Sequence, residues 1–185
     1  MQLTQPTNED FSLQFQALIN VNQWTLKDAE ALLCGLTDSQ YKAVVSPFTA
    51  SLGKHLRHIT DHYHQFFAGL ETGKIDYDAR DRNYVSESER SAMILNLRQI
   101  QLNLGKLSST SAATTDIQLI QSVDTESVPP VVASSVEREL VFLQSHATHH
   151  FVIIAAILKL QGIPVADSFG VAPSTLKYEQ QQCAH

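Results

Sequence analysis

Cysteine is scarce in this chain: Cys34 and Cys183 are the only two among 185 residues, too few for a disulfide framework. Basic charge is scarce as well. Thirteen Lys+Arg stand against 19 Asp+Glu, a formal net charge of −6, and no Lys/Arg run occurs. A net acid of this kind offers no electrostatic footprint for a phosphate backbone, so no nucleic-acid partner is expected. The stretch Met1 to Pro6 has neither a basic n-region nor an apolar h-region, so no secretory leader is expected. The longest nearly unbroken apolar run, Phe151 to Leu158, falls far short of the roughly 20 residues that span a bilayer. No membrane partner is expected on that ground. Glycine-rich phosphate loops and internal repeats are absent. What remains is the expectation of a cytoplasmic chain with a self-sufficient core. Residues 1–185 read as one unit, with a core over about 10–162 and a C-terminal tail over 163–185.

Histidine, in contrast, is present and concentrated. Seven of the eight histidines fall in two short windows: His55, His58, His62 and His64, then His146, His149 and His150. Even scatter would not place them so, and the two windows imply two segments that meet in space.

Helical periodicity gives those windows their secondary structure. Thr7 to Leu36 reads as a first helix, opened by Thr7 and first-turn acids, with Phe11, Phe15, Leu18, Leu26, Ala29 and Leu33 on one stripe. A second start signal at Thr25 allows a kink near Asn22. Cys34, among leucines, reads as a buried small residue. Ser46-Pro47 reads as the opening of a second helix that ends at Gly73, with the stripe Leu52, Leu56, Ile59, Tyr63, Phe66 and Leu70. A polar connection from Asp76 to Asn83 follows, then a third helix from Ser86 to about Leu107 with the stripe Met93, Leu97, Ile100 and Leu104.

Ser108 to Thr115 reads as a small-polar loop. Ile117–Val123 and Val128–Ala133 are β-like, and Pro129 and Pro130 restrict them to an edge hairpin. Ser134-Ser135 caps a fourth helix that runs to Leu160 and stops at Gly162, and Phe169 to Tyr178 suggests one short helix in the tail. The expected fold is all-α: a four-helix bundle with a long, partly β-hairpin-like crossover before the last helix.

On the second helix His55, His58 and His62 share an arc of about 60°, and His64 lies about 240° from His58. On the fourth helix His146 and His150 form an HxxxH pair, about 40° apart, with His149 on its flank. An HxxxH pair can bring two imidazoles to one metal, and a third from a facing helix completes a three-nitrogen face with open positions, the catalytic arrangement for zinc. Imidazole also suits nickel and iron(II). A neutral, hydrogen-bonded histidine cluster and a bis-histidine haem are the competing readings. A ferritin-like di-metal site lacks its carboxylates, and neither cysteine shows signs of activation. Glu139 reads either as a carboxylate that orients a ligand imidazole or as half of an ion pair with a neighbouring arginine. Arg138 and the charged run Asp78 to Arg82 read as solvated or capping groups.

Four segments together carry a resemblance: Ser51 to Tyr63, Tyr77 to Arg82, Arg138 to His150 and Phe169 to Thr175. Over roughly residues 10–178 the chain resembles the DinB-like superfamily, best a bacterial subgroup of it. The resemblance implies an up-down-down-up bundle, commonly a homodimer, with one divalent metal ion held by three histidines. By position these are His58, ahead of Ile59-Thr60-Asp61, and the pair His146 and His150. His62 is the alternative third ligand, His55 on the same face could also stand in for His58, and either could add a fourth. Zinc or nickel is the first expectation for the metal, iron or manganese the second. Relatives of this kind imply thiol-dependent transferase or hydrolase chemistry on a small-molecule substrate, with a low-molecular-weight thiol as partner. The competing functions are a non-catalytic metal-binding or stress-response module with a closed site, and a dimeric helical scaffold.

Overall fold

A computed structural model describes residues 8–80, 84–107 and 116–183. Helix α1 (Asn8–Cys34) is followed by α2 (Asp38–Lys42), α3 (Leu52–Thr72), strand β1 (Lys74–Asp76), α4 (Tyr84–Ser88), α5 (Arg90–Leu107), β2 (Asp116–Ile120), β3 (Val131–Ser135), α6 (Val136–Leu160) and α7 (Pro173–Cys183). The protein is mostly helical with a small three-stranded sheet. Its four long helices make the bundle: α1 packs on α5 and α6, and α3 packs on α5 and α6.

The expected stripes are the core. Phe15, Leu26, Ala29 and Leu33 of α1, Leu52 through Phe66 of the α3 stripe, and Met93, Leu97, Ile100 and Leu104 of α5 are all buried, while Phe11 is exposed. Helix α1 runs unbroken through Asn22. Asn22 is instead a buried polar junction: its Nδ2 donates to the carbonyls of Leu18 (2.8 Å) and Leu140 (3.0 Å), and its Oδ1 accepts from Tyr63 Oη at 2.7 Å. Three helices are tied at that point, and every polar atom of the pair has a partner, as burial demands. By length and composition α6 is apolar enough to cross a membrane; in the bundle Leu140, Leu143, Ala147, Phe151 and Ile154 form its buried face.

Several boundaries differ from the sequence reading. The Ser46–Pro47 peptide is cis and lies in a turn; α3 begins at Leu52, where the Ser51 hydroxyl accepts from the Lys54 N–H at 3.2 Å. Thr37 and Gln40 form a reciprocal capping box that starts α2, a helix too short for periodicity to reveal. The third helix is split into α4 and α5 at Glu89. Cys34 is exposed, not buried, because it falls on the outer side of the last turn of α1. The expected cap at Thr7 and the loop Ser108–Thr115 lie outside the described residues.

The sheet has the order β1-β2-β3, with β1 parallel and β3 antiparallel to β2. The hairpin is therefore present, but β2 is a central strand; β3, which follows the two prolines, takes the edge. Ile75, Ile117 and Leu119 are buried on one face of β1 and β2, and that face covers the bundle, while Val131 and Val132 of the edge strand are both exposed. Two glycines set the path of β1. Gly73 caps α3 with φ +70° and reverses the chain. Gly69 lets the returning strand cross closely, since a Cβ there would lie 2.4 Å from Ile75 Cγ1. That return carries Tyr77 and Arg80 back alongside α3. Ser135 caps α6, accepting from the Arg138 N–H at 3.2 Å. The tail then packs Phe169 on Phe151, ring centroids 4.6 Å apart and nearly parallel, and ends in the short helix α7.

Candidate metal centre

Helices α3 and α6 face each other through their histidines. His58 is central: its ring centroid lies 4.6 Å from that of His62, 4.9 Å from His146 and 4.8 Å from His150. One nitrogen each from His58, His146 and His150 can be chosen so that all three lie within 4.8 Å of one another. His62 packs on His146 with centroids 4.3 Å apart. His55 Nδ1 and His150 Nδ1 are 3.1 Å apart, a bond in which one ring donates and the other accepts. His64, set aside by its helical phase, is turned away from the cluster, while the His149 ring centroid lies 5.3 Å from that of His150. His64 is exposed and bonds Asn96 Oδ1 at 2.8 Å through Nε2, and His149 is exposed on the flank of α6.

Hydrogen bonding fixes the state of two of these rings. A backbone carbonyl only accepts, so His62 Nδ1 carries the proton that it donates to His58 O at 2.8 Å, which leaves Nε2 with the lone pair. Arg80 only donates, so His58 Nδ1 accepts from its Nη1 at 2.7 Å. His146 Nε2 is buried and has no hydrogen-bond partner among the described residues. A buried ring nitrogen without a partner is what a donor set awaiting a cation presents, and a neutral cluster would be expected to satisfy it.

The charge environment keeps the imidazoles neutral. Burial, followed by the nearby histidines and Arg80, pushes His58 down to about 2; burial and the same kinds of neighbour push His146 to about 3. Burial and the neighbouring histidines push His150 to about 4. His55 and His62 are lowered as well, chiefly by burial. Neutral imidazole is the metal-binding form.

An aromatic wall closes one side. Phe142 stacks on His146 with centroids 5.5 Å apart, Tyr77 packs on His62 at 5.1 Å, and the Arg138 guanidinium lies 5.3 Å over the Phe142 ring. Glu139 is fully buried beneath it. Its carboxylate accepts from Tyr77 Oη at 2.8 Å, from Arg138 Nη1 at 2.8 Å and from the Ser134 hydroxyl. Of the two roles open to Glu139 in the sequence, the structure has the ion pair. Among the described residues Glu139 bonds no histidine; it meets the cluster indirectly, through Tyr77 packed on His62 and through Arg138 over the Phe142 ring that stacks on His146. Burial raises the Tyr77 phenol, and the Glu139 charge raises it further.

Arg80, Tyr77 and Phe142 were not among the expected site residues. Arg80 belongs to the run read as solvated, and it instead touches His58. The signal was at hand in the motif Tyr77 to Arg82. Asp81, Arg82 and Asn83 of that run lie outside the described residues.

Two comparisons bear on this site. Residues 22–154 match the model of the DinB superfamily, a stretch containing both histidine windows. The chain is also similar to FK506-binding protein 5 of Rhizopus delemar, 36% identical over 109 residues; the match covers 58% of this chain and 28% of that protein. With well over half of its length inside the family match, the chain belongs to the DinB superfamily.

Proposed function

We propose that this chain is a divalent-metal protein whose ion is held by His58, His146 and His150, and that it carries out thiol-dependent transfer or hydrolysis on a small molecule. The observation that carries the proposal is the approach of three neutral ring nitrogens, from two facing helices, to within 4.8 Å of one another. The unpartnered, buried Nε2 of His146 adds to it. Zinc or nickel suits an all-imidazole set, with iron or manganese next. Three protein ligands leave open positions, and a metal so held supplies Lewis acidity to a thiol or to water near neutral pH.

The chain's own residues set the rest. Phe142 and Tyr77 exclude water from one side of the cluster. The Glu139 carboxylate, bonded to Tyr77, holds that wall in place. His55 steadies His150 through the Nδ1–Nδ1 bond.

A second reading has its own observation. His62 is anchored through Nδ1–H to a carbonyl, as metal-ligating histidines commonly are, and its Nε2 is free to ligate. With His62 as third ligand the site stays open. With His62 or His55 as fourth ligand it closes, and the protein becomes a non-catalytic metal module. Azide titrated into cobalt-substituted protein separates open from closed: a spectral change supports the catalytic reading, and no change supports the module.

We further propose the up-down-down-up order, a cytoplasmic homodimer and a thiol partner. The order is supported by the strands: β1 follows α3 at once, β2 follows α5, and the two are parallel.

A further inference from the structure

Arg80 occupies an electrostatically exposed position at the edge of the histidine cluster. Its Nη1 donates to His58 Nδ1 at 2.7 Å, and its Nε is buried with no hydrogen-bond partner among the described residues. Among the described residues no carboxylate lies within ion-pair distance of it. The nearby acids are engaged elsewhere: Asp61 with Arg57 at 2.7 Å, and Asp78 with the Ser122 N–H at 2.6 Å. A guanidinium stays charged at any physiological pH, and a partly buried charge costs free energy unless an acceptor meets it.

The bond to His58 cannot coexist with metal ligation by His58. A neutral imidazole has one N–H and one lone pair. Because arginine only donates, the lone pair on Nδ1 is committed to Arg80 and Nε2 carries the proton. Ligation through Nδ1 takes that lone pair directly. Ligation through Nε2 moves the proton to Nδ1, which then meets Arg80 donor to donor. In both cases Arg80 releases His58, and among the described residues no carboxylate is placed to take up the N–H groups so freed.

We infer that Arg80 holds the carboxylate of a small-molecule ligand at the open side of this centre. The inference rests on the metal reading above, with His58 as a ligand, and narrows its substrate class to carboxylate-bearing molecules. A carboxylate matches the planar fork of the guanidinium, satisfies the N–H groups freed from His58, and brings negative charge to a cluster that has none bonded to it. Arg80 is then a specificity-determining residue, and its bond to His58 keeps it in place until the ligand site forms.

The test uses cobalt(II)-substituted protein and follows its visible spectrum on titration with acetate, and separately with neutral imidazole. In Arg80→Met, acetate binding is expected to weaken by about tenfold or more, with imidazole binding within about twofold of wild type. Cobalt affinity in the variant is expected to be equal or higher, because a competitor for the His58 lone pair is gone. Arg80→Lys, which keeps the charge and loses the fork, is expected to fall between. Unchanged acetate affinity in Arg80→Met with cobalt bound overturns this inference and leaves the metal reading intact. Loss of cobalt from Arg80→Met also overturns it, since Arg80 then supports the site instead of its ligand. Failure of the wild type to bind cobalt overturns the metal reading, and this inference with it.

Discussion

The Nδ1–H of His62 is bonded to the carbonyl oxygen of His58 one turn earlier on α3, at 2.8 Å. The two histidines are thereby locked in different states, His62 with its lone pair on Nε2 and His58 with its lone pair facing Arg80. Which of them joins His146 and His150 decides the geometry of the centre. We expect His62→Ala to retain about one metal per chain with affinity lowered about tenfold at most. Loss of metal in His62→Ala together with its retention in His58→Ala, both read by mass spectrometry, would make His62 the third ligand.

Acid is expected to destabilise the metal-free protein. His58, His146 and His150 lie at about 2, 3 and 4 in the folded chain against 6.5 when free. Over that interval the unfolded chain takes up protons that the folded chain does not, so stability is greatest above about 6.5 and declines as pH falls. Urea midpoints measured from about pH 7 to about pH 4 should fall, and the fall should be shallower in a His58→Leu, His146→Leu double variant. An equal slope in the two proteins would contradict this origin of the acid sensitivity.

Tyr63→Phe leaves Asn22 Oδ1 without its donor in a fully buried position. The expected cost is about 1–3 kcal/mol, which for a chain of this size lowers the melting temperature by roughly 2–12 °C. An unchanged melting temperature would show that the junction adds nothing to the packing of α1 on α3 and α6.

Replacing Glu139 by Leu removes the acceptor shared by Tyr77, Ser134 and Arg138. Two buried or half-buried hydroxyls lose their partner, and we expect a loss of about 2–4 kcal/mol. Glu139→Gln keeps one acceptor and should cost less. Metal content per folded chain should be unaffected, because Glu139 bonds no histidine; a parallel loss of metal would assign it a closer role.

The histidine clusters were legible because an α-helix turns a spacing in sequence into a face in space. His55, His58 and His62 face α6, and His64 does not, as their angles require. The core stripes were legible for the same reason. Periodicity could not place Arg80 and Tyr77, because their position comes from a three-residue strand returning over Gly69, and three residues carry no period; only the motif Tyr77 to Arg82 marked them. The same holds for α2, whose five residues depend on the Thr37 cap. Pro47 misled because proline serves a turn as well as a helix start. Glu139 had two partners open to it in sequence, and only the fold brings Tyr77, 62 residues away, to its carboxylate.

Metal content, measured by mass spectrometry on tag-free protein, tests the centre most directly. Wild type should carry about one divalent ion per chain, and His58→Ala, His146→Ala and His150→Ala should each lose it. Wild-type protein that stays metal-free after reconstitution with zinc, nickel, iron and manganese would contradict the centre and leave a bundle with a neutral histidine cluster.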